Sequence, residues 1–344
     1  MRAAVLVLAA CGSSPQHASI DDAVVQDVSE PDAPSSHVRP LGTAAVQPSV
    51  DCPATAVPTS QCLLVTITCP GIAPLAARVK VTDPSGPVVG AVILGSGGGG
   101  GGFYEAFGPD AVSRIIQPLV ARGFRVIQRA WNGANGWLDG PGGAVALGCR
   151  YATLVDWVHH ALHPAGALCV TGNSGGSAEI AYGLTHYGMG DVVDLAIPTS
   201  GPPLGQLAYG CLGGAAWDMQ CAQLKTCAGG NCELVPPATM AIDYTYGPGT
   251  THCTDRDASF APQFLADSVV SPDAVLAYPR TQLRFVFGDA DCSEAVPLGR
   301  LYASSITTDA TTTIVRNAPH AVPGFAAGAQ QIADDLAAGC ILRH

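Results

Sequence analysis

The sequence predicts an α/β protein, a doubly wound and mostly parallel sheet interrupted by a cysteine-rich cap insertion. Three observations carry that expectation. From Val88 onward, short continuous apolar runs alternate with stretches whose apolar residues recur at helical spacing, the rhythm of strand-helix-strand units. One such run, Ala167-Leu168-Cys169-Val170, turns into a helix-like stretch from Ala178 to Tyr187 through Gly172-Asn173-Ser174-Gly175-Gly176. Between about 201 and 279 the rhythm stops, and Cys211, Cys221, Cys227, Cys232 and Cys253 lie among Gly, Pro and polar residues. A span that long without periodicity reads as a functional insertion between two strands.

At the start of the chain, Arg2 precedes an apolar run from Ala3 to Ala10 that ends in Leu8-Ala9-Ala10-Cys11. This tetrapeptide resembles the lipobox of bacterial lipoproteins, which implies export, diacylation of Cys11 and a lipid anchor in the membrane of the cell envelope. The apolar segment is shorter than a usual signal core, so either the signal is minimal or the true start lies upstream. Residues 12–50 are rich in Ser, Pro, Ala, Asp and His without a periodic apolar face, and are expected to form a disordered tether. His17 and His37 fall within it, and no chemistry is expected of them. The folded domain is then expected over 51–344.

Composition narrows the function classes. Thirteen cysteines, less Cys11, leave an even number that suits full pairing in an oxidising compartment or outside the cell. Five in the cap is odd, so at least one pairs outside it or stays free. A metal site is disfavoured, because Cys221, Cys227 and Cys232 lack close C-x-x-C pairs and no His falls at a matching interval. The same lack of C-x-x-C argues against thiol-disulfide exchange. A formal charge of −11 and the lack of a basic stripe exclude nucleic acid as a partner. Beyond the N-terminal segment, no apolar run is long enough to span a bilayer.

Taken in order, Cys62–Cys69 and Ala77–Thr82 alternate apolar and polar residues and read as two antiparallel edge strands. Val88–Leu94 is nearly continuous in apolar residues, as a strand buried on both faces requires. It opens into Gly95-Ser96-Gly97 and a glycine run to Gly102, where glycine allows a peptide plane to face inward without a side chain in the way. No Gly-Lys-Ser/Thr follows, so a phosphate loop is disfavoured. Val112, Ile115, Ile116, Leu119 and Val120 share one face of a helix over 111–122, Gly123 ends it, and Phe124–Ala130 is the next strand. Trp131 and Trp137 bracket a Gly/Asn-rich loop, placed either to line a pocket or to pack. A helix follows over 147–162, carrying His159 and His160 away from strand ends. After the serine turn, Val192–Ile197 is another buried strand. Gln282–Phe287 is a strand that leads into Gly288-Asp289-Ala290-Asp291, and Ala310–Val315 is the last strand. The following loop carries His320, and a final helix runs over 325–338.

G-x-S-x-G between a strand and a helix is a nucleophile elbow, its glycines required because the turn is strained and crowded. With Asp291 after one strand, Asp289 as the other choice, and His320 after the last, the chain resembles an α/β-hydrolase over residues 60–340. The resemblance implies that Ser174 attacks a carboxylic ester, His320 relays the proton and Asp291 orients the imidazole, without metal or organic cofactor. It also implies an oxyanion hole from the N–H groups of Gly175 and Gly98. The substrate would be a small-molecule or polymer-borne ester. Secreted esterases of the tannase and feruloyl esterase type carry a cysteine before the nucleophile and another after the histidine, where this chain has Asn173 and Ala321. Other uses of such a scaffold stay open: a non-catalytic binding lipoprotein, a peptidase or polyester depolymerase, or a cofactor-free haloperoxidase or lyase.

Overall fold

Alternating apolar faces need helices on both sides of a sheet, and the chain supplies them. The computed structural model describes residues 38–48, 51–53, 56–163, 165–227 and 232–341. Cys11, His17 and His37 lie outside the described residues. The strands are β1 (Thr43–Pro48), β2 (Gln61–Thr68), β3 (Leu75–Thr82), β4 (Gly90–Gly95), β5 (Phe124–Trp131), β6 (Ala167–Asn173), β7 (Leu195–Thr199), β8 (Gln282–Gly288) and β9 (Ala310–Val315). They form one sheet in the order β1-β2-β3-β5-β4-β6-β7-β8-β9. The first three strands pair antiparallel, β3 joins β5 antiparallel, and every later pairing is parallel.

Successive side chains of a strand point to opposite faces, and both faces here are dry. In β4, Ala91 and Ile93 enter one core layer while Val92 and Leu94 enter the other. The first layer is completed by α2 (Gly143–Ala161) and α3 (Gly175–Tyr187), through residues such as Leu147, Val155, Ile180 and Leu184. The second is closed by Ile115 and Ile116 of a π-helical turn (Ala111–Ile116), Leu119 of α1 (Gln117–Ala121), and Ile332 and Leu336 of α9 (Ala326–Gly339).

The stretch expected to be a tether ends earlier than 50. Thr43–Pro48 pairs with β2 from Thr43↔Thr68 to Pro48↔Leu63, and makes β1 the sheet edge. The Gly42 N–H adds a hydrogen bond to Thr153 Oγ1 at 2.9 Å. Consequently β2 and β3, expected as edge strands, are interior to the sheet. The cap between β7 and β8 is also more regular than its composition suggested. It contains α4 (Leu207–Leu212), α5 (Ala215–Leu224), α6 (Ala238–Tyr244) and α7 (Ala261–Ala266). Short helices of this length carry too little periodic signal to be read.

Disulfides tie the layers together. Cys52–Cys62 and Cys69–Cys149 hold the antiparallel side, the latter joining the end of β2 to α2. Cys169–Cys340 joins β6 to the end of α9, across the sheet's second layer. In the cap, Cys211 pairs with Cys253 and Cys221 with Cys232. The fifth cap cysteine, Cys227, pairs outward with Cys292. α8 (Ala295–Ser305) starts just beyond that bridge.

Cys169–Cys340 closes a loop with a sequence separation of 171, so it restricts the unfolded chain strongly. The double variant Cys169→Ala/Cys340→Ala is expected to lose about 2–5 kcal/mol of unfolding free energy, read by denaturant titration.

Candidate active site

Ligand sites in open α/β sheets lie beyond the carboxyl ends of the parallel strands. Four such ends converge here: the glycine loop after β4, the turn after β6, the acidic loop after β8 and the loop after β9. Ser174 sits in the turn with φ 53° and ψ −115°, a backbone conformation that a residue with a Cβ rarely adopts. Strain of this kind costs on the order of 1–3 kcal/mol and persists only where the surroundings over-determine it. The surroundings do so through close backbone approach. A Cβ on Gly172 would lie 2.5 Å from the Gly176 carbonyl oxygen, and one on Gly176 would lie 2.6 Å from the Ser96 carbonyl oxygen. Both glycines of the motif are therefore sterically required.

The next position repeats the pattern. A Cβ on Gly175 would collide with the Gly98 carbonyl, and would lie 3.2 Å from the Gly98 nitrogen. Gly98 itself has φ +59°, and a Cβ on Gly97 would lie 3.5 Å from Ser174 Cβ. The glycine loop thus lies directly against the serine and the first residue of α3. The N–H of Gly175, at the start of that helix, is among those left without an intrahelical acceptor.

Asp291 and His320 meet as the sequence suggested. His320 Nδ1 donates to Asp291 Oδ2 at 2.9 Å, with the Asp291 side chain buried and the His320 side chain 42% exposed. Asp289 is turned to another task, its Oδ1 accepting the N–H of Asn317. Ser293 was not singled out by sequence, yet its Oγ donates to Asp291 Oδ1 at 2.7 Å and lies 3.2 Å from His320 Nδ1. Its backbone N–H also donates to Asp291 Oδ1, at 3.1 Å. Burial pushes the Asp291 carboxyl up, but the hydrogen bonds and charge of His320, with those of Ser293, outweigh it and hold the carboxyl below its ordinary value. Burial likewise pushes His320 down. The Asp291 hydrogen bond and charge, with the charge of Glu294, reverse this and raise it above the ordinary histidine value.

Ser174, Gly175, Gly98 and His320 all line one cavity of about 550 Å³. Ser174 and His320 make no hydrogen bond to each other in this structure; such bonds commonly tighten only when substrate is bound. The cap forms much of the opposite wall, with Leu204, Val235, Pro236 and Ile242. Of the two tryptophans, Trp137 lines the cavity and Trp131 does not. Histidines 159 and 160 lie on α2 and are not among the residues lining the cavity. The cap meets the acid directly as well: Thr226 Oγ1 donates to the Asp291 carbonyl at 3.1 Å, beside Cys227–Cys292. That bridge stands at the acid. At the positions flanking the serine and the histidine, Asn173 Oδ1 accepts from Thr199 Oγ1 and residue 321 is alanine. Among the described residues, no group of His, Cys, Asp and Glu is arranged to hold a metal ion.

A buried ion pair underlies the glycine loop. Arg129 of β5 donates through Nη1 to the Gly100 carbonyl at 3.0 Å and through Nη2 to the Ser96 carbonyl at 3.1 Å. Nη2 also bonds Glu179 Oε2 of α3, and Trp131 Nε1 bonds Glu179 Oε1. Arg129 and Glu179 are both fully buried. Sequence reasoning missed them; the available signal was Arg129 near the end of an apolar strand that also carries Arg125, and Glu179 inside the elbow helix.

The chain has the α/β-hydrolase fold. It superimposes on an esterase from Pyrobaculum calidifontis at TM-score 0.50 with 16% identity, covering 81% of this chain and 85% of that one. A candidate hydrolase from Agrobacterium vitis S4 matches at TM-score 0.50 with 14% identity, covering 82% and 99%. Est1E from Butyrivibrio proteoclasticus matches at TM-score 0.46 with 14% identity, covering 80% and 99%. No protein-family profile matches the chain, and no curated protein matches its sequence.

Removing the guanidinium strands a buried carboxylate and frees two loop carbonyls. Arg129→Met is therefore expected to lower unfolding free energy by about 3–5 kcal/mol, measured by denaturant unfolding.

Proposed function

We propose that this chain is an exported serine hydrolase that cleaves carboxylic esters through an acyl-enzyme, with Ser174, His320 and Asp291 as its triad. The observation that carries the reading is the Asp291–His320 hydrogen bond at the cavity where Ser174 stands on its strained turn. A histidine whose Nδ1 is held by a buried carboxylate keeps Nε2 available as a base, which is the requirement for activating a hydroxyl.

In acylation, Ser174 Oγ attacks the ester carbonyl carbon while His320 takes the hydroxyl proton. Negative charge develops on the carbonyl oxygen, where the N–H groups of Gly175 and Gly98 are assigned as donors. Collapse breaks the bond to the alcohol, which leaves with the proton from His320. Water then attacks the acyl-enzyme, giving its proton to His320, and the acid departs as Ser174 regains its hydrogen. Asp291 holds the imidazole tautomer and stabilises the cation formed in both halves. Each step uses this chain's own groups and water.

Among the described residues, six disulfides suit an oxidising compartment and no helix is long and apolar enough to cross a membrane. Lipidation at Cys11 would place the enzyme at the cell envelope; radiolabelled palmitate incorporation into wild type, absent from Cys11→Ala, tests it.

A fluorophosphonate probe should label the folded, oxidised wild type and neither Ser174→Ala nor His320→Ala. An unlabelled wild type would overturn the mechanism and favour a binding protein on this scaffold. The pH profile gives a second check. His320 acts as a base only when neutral, and its pKa is raised, so the acidic limb of kcat/KM should lie above the ordinary histidine value of about 6.5. Asp291→Asn removes the carboxylate that raises it. That variant should shift the limb to lower pH and cut kcat by roughly ten-thousand-fold.

A further inference from the structure

The cavity that holds Ser174 has almost no charge on its walls. Trp137, Leu138, Leu204, Pro236 and Ile242 present apolar surface, and the volume of about 550 Å³ falls in the range that accepts a small organic molecule. Two lining side chains ionise, His320 and Glu294. No lysine or arginine is among the lining residues. The nearby buried guanidiniums are committed elsewhere. Arg129 holds the glycine loop and Glu179, and Arg150 donates to the carbonyls of Trp137, Asp139 and Ala73 at 2.7, 2.8 and 3.0 Å.

Glu294 precedes the first residue of α8 and lies three residues after the triad acid. Apart from its own backbone N–H, no described group hydrogen-bonds its carboxyl, and the ionisable groups it senses are His320 and Asp291. The proposed mechanism assigns it no step. It is a carboxyl on the wall of an apolar cavity, pushed above its ordinary value chiefly by burial, and the one lining side chain that can carry positive charge is His320, which is neutral when it acts as the base.

Resting on the hydrolase reading above, we propose that the site takes uncharged esters with an apolar acyl or aryl group, and that Glu294 excludes esters carrying a carboxylate near the scissile bond. An anionic substrate would leave water for a low-dielectric cavity, meet no positive partner there, and stand near a like charge. An uncharged ester of the same length meets neither penalty. Specificity built this way rejects the wrong ligand in addition to fitting the right one.

The test compares para-nitrophenyl hexanoate with the para-nitrophenyl monoester of adipic acid, which has the same chain length and ends in a carboxylate. For the folded full chain, kcat/KM should favour the hexanoate by about tenfold or more at low ionic strength. Glu294→Gln should shrink that ratio by about tenfold, through a faster reaction of the anionic ester. The ratio is the readout, because it is independent of how much of a variant is active; Glu294→Ala serves equally if the glutamine variant does not fold. Equal rates for the two esters in wild type, or an unchanged ratio in the variants, would overturn the inference. A wild type that reacts with fluorophosphonate but hydrolyses neither ester also overturns it, while the serine hydrolase reading stands. A wild type that neither reacts with the probe nor hydrolyses either ester instead overturns the hydrolase reading itself.

Discussion

The fully buried pair of Arg129 and Glu179 is the interaction on which the site geometry depends. One guanidinium reaches two carbonyls of the glycine loop and one carboxylate of the elbow helix, so three chain segments share a single hub. The glycine loop holds itself through a single side chain, the Ser96 hydroxyl donating to the Gly102 carbonyl, and α3 approaches it so closely that a methyl group at Gly175 would not fit. Backbones this near cannot be fixed by side-chain packing between them. A fork of N–H donors from a third strand can fix them, and arginine is suited to it because its donors diverge rigidly and it stays charged when buried. Trp131 completes the arrangement by bonding the other Glu179 oxygen, which leaves no oxygen of the carboxylate unpaired.

A second coupling joins the cap to the proposed triad. Cys227–Cys292 anchors the cap at the residue after Asp291, and the Thr226 hydroxyl bonds the Asp291 carbonyl. The cap also supplies the apolar wall opposite Ser174. The cavity wall and Asp291, the proposed triad acid, are therefore joined by one covalent link, and the wall is tied down where a mobile lid would be free. With Cys211–Cys253 and Cys221–Cys232 closing the remaining cap segments, short helices that are too brief to be stable alone are held in place.

What could be read from sequence follows the strength of the local signal. Ser174 was legible because its glycines are demanded by contacts at 2.5 and 2.6 Å, so the motif is a steric record of the fold. The meeting of Asp291 and His320 was legible because both stand on loops after parallel strands, and β9 matched its expected span, Ala310–Val315. Which of Asp289 and Asp291 bonds His320 needed coordinates, since both follow β8 within a turn. β1 was missed because Thr43–Pro48 is held by backbone pairing at an edge and lacks a buried apolar face to announce it. Arg129, Glu179, Ser293 and Glu294 were missed for a different reason. Each acts through a partner far away in sequence, or through a neighbour whose orientation depends on the loop, and neither relation leaves a periodic trace.

The strained serine explains why so much of the stabilising apparatus gathers near β6. A backbone at φ 53° relaxes unless the strand before it and the helix after it are both immobile. β6 is flanked on both sides by parallel neighbours, β4 and β7, and every residue of α3 is buried. The Ser174 N–H donates to the Thr199 carbonyl at 2.8 Å, so the turn itself remains hydrogen-bonded to β7. Cys169 lies within β6, five residues before the serine, and its bridge to Cys340 locks that strand to the helix on the far face. Core packing, a disulfide and the buried ion pair thus converge on one short segment. The segment holds Ser174, whose backbone, like that of Ser200 at the end of β7, leaves its preferred region, and it is also where the proposed chemistry begins.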